Sequence, residues 1–169
     1  MTENIWNESA NVDLLFFNAE DGEKKNRLGY ALAPPESHGD FGVFYAGRSL
    51  GTRERSLQNL YAARATLYLD SALGNATTTP ATRFACHMAR GHLYRQMNDW
   101  KEALVSFENA GSLAASAQSW QAETAAAEAC LSLNQTARAL RHLQSAIDQA
   151  PVERAPELVR FRQQLLQAH

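Results

Sequence analysis

The chain has 169 residues, of which 45% are hydrophobic and 20% are charged, and its formal net charge is −2. This length fits one domain with a hydrophobic core plus an extension. The charge provides no basic field for nucleic acid, and no apolar run approaches the roughly 18 residues that cross a bilayer. We therefore expect neither nucleic-acid binding nor a membrane span.

The first residues also bear on location. In "MTENIWNESANVDLLFF" acids stand where a secretory signal carries Lys or Arg, and the apolar run is short, which predicts a cytoplasmic protein. Cys86 and Cys130 lie inside helical patterns without Cys or His at metal-ligand spacing. That arrangement predicts two buried, reduced thiols and no zinc site.

Composition changes near residue 50, and we interpret residues 1–51 as an extension and 52–169 as a helical domain. Six of the nine glycines and seven of the fifteen aromatic residues fall in the first 51 positions, whereas alanine dominates afterwards. The runs "DLLFF", "RLGYALA" and "FGVFYAG" are separated by turn formers. They predict either a short β-hairpin or an extended, irregular arm with a short helix, and the sequence leaves both open.

The second part is predicted to be all-α. Helices are expected near residues 53–73, 80–97, 100–115, 118–133, 136–149 and 156–167. Thr79 before Pro80 fits an N-cap, and Asp99 followed by Glu102 fits a capping box. The short connections make successive helices antiparallel neighbours, which predicts an antiparallel helical stack.

Small residues recur at fixed offsets in "GHLYRQMNDWKEALVSFENA". Gly91 and Ala103 are predicted to lie where two helices cross closely, with Tyr94 and Phe107 filling the space beside them. The spacing resembles the tetratricopeptide repeat family, which has Gly-x-x-Tyr in a first helix and Ala-x-x-x-Phe in a second. The resemblance covers Phe84 to about Ala117.

The pattern appears again downstream and in part upstream. Ala139, Leu143 and Ala146 repeat the second-helix offsets 36 residues later, with Ala127 and Cys130 at the Gly-x-x-Tyr positions. Upstream, the residues Ala65, Leu69 and Ala72 match a second helix, but the matching first helix would fall on Arg53 and Ser56, which fit poorly. We therefore expect about three helix-turn-helix repeats.

The last predicted helix closes this stack. It places Leu158, Phe161 and Leu165 on one face and polar residues elsewhere, as a C-terminal capping helix requires.

In this family the first helix of each repeat lines a groove that holds a peptide or helix of another protein. The resemblance assigns seven residues to that groove: Met88, His92, Arg95, Gln96, Gln121, Thr124 and Glu128. The size and closing helix also resemble bacterial type III secretion chaperones of translocator proteins. The resemblance thus implies a cytoplasmic adaptor or chaperone, with a homodimer also possible.

No catalytic motif stands out, and neither a metal nor a cofactor is expected. Glu36, His38 and Asp40 in "ESHGD" are the nearest approach to a metal-ligating group, and three residues of one turn rarely suffice. His142 is expected on a solvated face. The alternative to a non-enzymatic binding module is an enzyme or small-ligand sensor with a pocket between the N-terminal segment and the helices.

Overall fold

The computed structural model describes residues 35–113 and 118–167. Of the first compact unit, residues 1–37, it describes a 3₁₀ turn, Pro35–Ser37. The described part of the second unit, residues 38–169, has seven α-helices. They are α1 (His38–Gly51), α2 (Arg55–Gly74), α3 (Pro80–Gln96), α4 (Trp100–Gly111), α5 (Ser119–Ser132), α6 (Thr136–Gln149) and α7 (Ala155–Gln167). No strand occurs among these residues, so the all-α prediction is confirmed for this part of the chain.

The helices pack mainly on their neighbours in the chain. From α3 to α7 each helix packs against the next, and α1 packs against both α2 and α3. The contacts of α1 with α2 show an antiparallel pair, because His38 bonds Ser71 near one end and Ser49 bonds Gln58 near the other.

The predicted helix starts before α3 and α4 are confirmed. The Thr79 side chain accepts a hydrogen bond from the Thr82 amide at 3.2 Å. The Asp99 side chain accepts one from the Glu102 amide at 3.3 Å. Each cap satisfies one of the amides that a helix leaves unbonded in its first turn, so local sequence fixes these two boundaries.

The turns after α3 and α5 have the same geometry. Asn98 and Asn134, 36 residues apart, both have φ of 59°, in the left-handed region. The residue after each asparagine donates its amide to a carbonyl five residues earlier, Asp99 to Tyr94 at 2.9 Å and Gln135 to Cys130 at 2.8 Å. This is the Schellman arrangement of a helix C-terminus, and it turns the chain back at the same place in both helix pairs.

These turns give a first testable prediction. Asn98→Ala should lower the free energy of unfolding by about 1 kcal/mol, because a Cβ without a polar group to hydrogen-bond locally is disfavoured in the left-handed region. Asn98→Gly should cost little, since glycine adopts this conformation freely. Urea unfolding of both variants checks this, with Asn109→Ala on the exposed side of α4 as control. Equal losses for alanine and glycine would contradict the argument.

The small residues of α3 and α4 lie where the two helices cross. A Cβ on Gly91 would come within 2.6 Å of Cδ1 and 2.8 Å of Cζ of Phe107, so only glycine fits beneath that ring. Ala103 and Ala110 are fully buried on α4, as is Phe107. The predicted packing of a bulky side chain over small residues is therefore present in this pair.

The first helix pair differs from the prediction. Of the two alternatives left open for the run at residues 41–47, a hairpin strand is excluded, because these residues lie within α1. The first helix of this pair does not lie at Arg53 and Ser56. It is α1, where Gly42 and Tyr45 provide the Gly-x-x-Tyr spacing. A Cβ on Gly42 would lie 2.7 Å from Cδ2 of Leu69 in α2, which matches the contact of Gly91 with Phe107.

The sequence misled at α1 because its glycines suggested chain breaks. In the folded protein they admit a neighbouring helix, and the buried residues Gly42, Tyr45, Ala46 and Ser49 recur at helical spacing. Within the described residues, helical packing is therefore already present from His38, before the change in composition near residue 51. The runs "DLLFF" and "RLGYALA" lie outside the described residues.

Candidate partner-binding surface

Helices α1 and α3 lie side by side and run in the same direction. Near their N-terminal ends, Cys86 Sγ lies 4.0 Å from the Gly39 carbonyl oxygen. Near their C-terminal ends, Ser49 Oγ donates to Gln96 Oε1 at 3.1 Å, and Gln96 Nε2 donates to the Ser49 carbonyl at 3.3 Å. Two contacts in the same order along both helices define their parallel course.

Helices α3 and α5 also run in the same direction, although their backbones lie farther apart than those of α1 and α3. Phe84, early in α3, packs in one apolar cluster with Ala122, early in α5. Further along both helices, Arg95 bonds Glu128 at 3.1 Å. The first helices of the three pairs, α1, α3 and α5, therefore run in the same direction. We call the surface of these helices that carries Arg95, Gln121 and Glu128 the odd-helix face.

The four predicted groove residues of α3 are largely engaged within the protein. Met88 is partly buried against the core, and the His92 ring meets the Phe107 ring edge-on at a centroid distance of 5.2 Å. Gln96 is held by Ser49 of α1. These side chains therefore contribute to the packing between helices.

The three predicted residues of α5 vary more. Gln121 is exposed, whereas the Thr124 hydroxyl donates a hydrogen bond to the Trp120 carbonyl at 2.8 Å. Glu128 pairs with Arg95, and their side chains retain 47% and 39% exposure. Because both side chains are exposed, a ligand can reach them, and an ion pair this exposed contributes little to stability. The structure brings Arg95 and Glu128 together, and a role of these seven residues in binding stays a prediction.

Exposed apolar side chains at the α1–α3 end were not predicted. Leu50 and Met97 are 43% and 56% exposed, and each directly follows a member of the Ser49–Gln96 pair. Val43, one residue after Gly42, is also exposed. Val43 and Leu50 lie seven residues apart in "GVFYAGRSLG", which is a helical spacing, but the sequence left a hairpin and an arm with a short helix both open for this segment.

The "ESHGD" residues do not form a metal-binding group. His38 is buried, with Nδ1 2.8 Å from Ser71 Oγ and its ring edge-on to Tyr68. Glu36 and Asp40 are exposed. Among the described residues, no three His, Cys, Asp or Glu side chains are placed to hold a metal ion. His38 thus has a packing role between α1 and α2.

Both cysteines are buried free thiols, as predicted. Burial, with a smaller effect from Asp40, raises the pKa of Cys86 to about 11. Burial also raises the pKa of Cys130. A thiol that stays protonated is a poor nucleophile, so neither group has the character of a catalytic cysteine.

His142 is not on a solvated face, and that prediction is wrong. Its Nδ1 lies 2.7 Å from Glu123 Oε2 in α5 and its Nε2 lies 3.2 Å from Glu108 Oε1 in α4. Arg138 bonds the same Glu108 oxygen at 2.5 Å. Because Glu108 and Glu123 come from different helices, no periodicity within α6 could reveal this network, which ties three helices together.

No protein-family model matches the chain, and comparisons with curated proteins and with solved structures find no match. In the part of the chain that the structure describes, no helix has the length and apolarity that a bilayer span requires. The alternative pocket against the N-terminal segment involves residues outside the described range.

Proposed function

We propose that this chain is a tetratricopeptide-like interaction module that binds a peptide or helix of another protein along its odd-helix face. Three helix pairs share one pattern of small and bulky residues. Gly42 with Leu69, Gly91 with Phe107 and Ala127 with Leu143 occupy equivalent positions, and all six are buried. The agreement in burial, together with the shared offsets within each second helix, supports a repeat architecture.

The parallel course of α1, α3 and α5 carries the proposal. Repeat proteins bind extended segments because neighbouring helices of the same direction form a continuous surface longer than any one helix. Here that surface combines exposed apolar groups at the α1–α3 end with the Arg95–Glu128 pair and Gln121 further along. Such a mixture suits an amphipathic helix or peptide, as an adaptor or a cytoplasmic chaperone would hold.

Site-specific photocrosslinking in cells tests this function. A photoreactive phenylalanine analogue at Met97 or Gln121 is expected to form the same crosslinked partner band, because Met97 is exposed directly after α3 and Gln121 is exposed on α5. The control is Val105, which is 49% exposed on α4, an even-numbered helix. Crosslinks from Val105 alone, or none from either test position, would contradict the proposal.

The crosslinked partner then allows a direct binding measurement. Arg95→Ala combined with Gln121→Ala should weaken its binding while changing thermal stability little, since exposed substitutions usually cost within about 0.5 kcal/mol. His92 is left intact in this variant because its ring packs against Phe107. Undiminished binding would place the site elsewhere on the protein.

A further inference from the structure

Two histidines of α3 turn a ring nitrogen into the protein. In His87 and in His92, Nδ1 is shielded from water and finds no hydrogen-bond partner among the described residues. The His92 ring also packs on Phe107, at an interplanar angle of 64°. An imidazolium needs partners for two N–H groups, so these surroundings accommodate the neutral ring better than the charged one.

The charges nearest to these rings on α3 itself are positive. Arg83 and Arg90 lie on either side of His87, and Arg95 lies one turn from His92. A second positive charge on either ring would therefore be repelled as well as poorly solvated.

The helices around α3 provide few free carboxylates that could offset a positive charge on His87 or His92. Asp70 of α2 already bonds Arg90 at 3.1 Å, and Glu128 of α5 already bonds Arg95 at 3.1 Å. On α1 the acidic neighbour is Asp40, which acts on Cys86. On α4 the group against His92 is the Phe107 ring. The nearby carboxylates of α2 and α5 are thus engaged by arginines.

These surroundings act on the titration of both histidines in the same direction. Burial first, and then Arg90 and Arg83, lower the pKa of His87 from its ordinary 6.5. Burial first, and then Arg95, lower the pKa of His92. The unfolded chain therefore binds protons at these residues more readily than the folded chain does.

We propose that α3 is an acid-sensitive element whose packing loosens when His87 and His92 become protonated. The stability that the two neutral rings contribute is complete above the ordinary histidine value of 6.5 and is lost as the pH falls below it. Because α3 packs against α1, α2 and α4, the loss affects the first two helix pairs together. This inference goes beyond the proposed binding function and does not depend on it.

Urea unfolding of the full chain at about pH 7.5 and about pH 5.5 tests this inference, a range in which ordinary carboxyl groups stay ionised. The folding equilibrium constant of the wild type should fall by up to about tenfold for each histidine, which is the linkage limit one pH unit below 6.5. His87→Gln with His92→Gln should remove most of that fall.

His142→Gln is the control, because it removes a histidine of α6 and leaves α3 unchanged. It should keep the acid-dependent fall of the wild type. NMR titration of the histidine ring protons adds a readout that needs no variant, with His87 and His92 expected to titrate below 6.5. Equal falls in the wild type and the double variant, or ordinary titration of both rings, would overturn the inference.

Discussion

Gly91→Ala is expected to lower the free energy of unfolding by about 1–3 kcal/mol, although alanine is the better helix former. The added methyl group would meet the ring of Phe107, with Cδ1 at 2.6 Å. That ring is fully buried and is held by the surrounding apolar cluster of α4, α5 and α6, so it cannot simply turn away. Urea unfolding at neutral pH measures the loss.

Gly47→Ala on α1 is the matched control. Gly47 is also helical, but a Cβ there would have no other atom within 4 Å. Without a clash only the helix preference remains, and Gly47→Ala should stabilise the protein by about 0.5–1 kcal/mol. If both alanine variants are stabilised, the close crossing at Gly91 does not exist.

The third helix pair suggests how to relieve the clash. There alanine occupies the glycine position at Ala127, and leucine, Leu143, replaces the phenylalanine opposite, both fully buried. Gly91→Ala combined with Phe107→Leu should therefore lose less free energy of unfolding than the sum of the losses of the two single variants. Substitutions of neighbouring residues couple by about 0.5–3 kcal/mol. Additive losses would show that the two pairs are not equivalent.

Phe107→Ala is expected to have a larger effect, a loss of about 3–5 kcal/mol, because it removes a fully buried aromatic ring and leaves a cavity. The ring packs with residues of α4, α5 and α6, and it meets Gly91 and His92 of α3. Four helices thus lose contacts at once. Thermal and urea unfolding should both shift, with incomplete folding at physiological temperature as the extreme outcome.

Val105→Ala provides the control on the same helix. Val105 is 49% exposed, and exposed substitutions usually change stability by about 0.5 kcal/mol or less. A large loss at Val105, or a small one at Phe107, would mean that α4 presents a different face to the core.

The acidic and basic groups of the odd-helix face show the limit of sequence reasoning. The repeat register placed Arg95 and Glu128 on one side of the stack, but it gave no reason to pair them. They are 33 residues apart, and only the parallel course of α3 and α5 brings their side chains to 3.1 Å. The same holds for Gln96, which was assigned to a partner and is held by Ser49 of α1.

The sequence by itself determined the features whose physics is local. Thr79 and Asp99 begin helices because a side-chain oxygen can reach an amide three residues away, and the 3.6-residue period indicates which alanines of α4 and α6 are buried. The repeated spacing of Gly91 with Phe107 followed from the same periodicity. These interactions lie within one helix or one helix-turn-helix unit.

Tertiary structure alone decided whether a glycine ends a helix or admits a neighbour. Gly42 is as unfavourable for an isolated helix as any glycine, at about 1 kcal/mol relative to alanine, so the local preference argued against α1. Contact with Leu69 and burial of Tyr45 against Tyr68 reverse that preference in the folded protein. Both contacts come from α2, and their contribution arises only when the two helices pack.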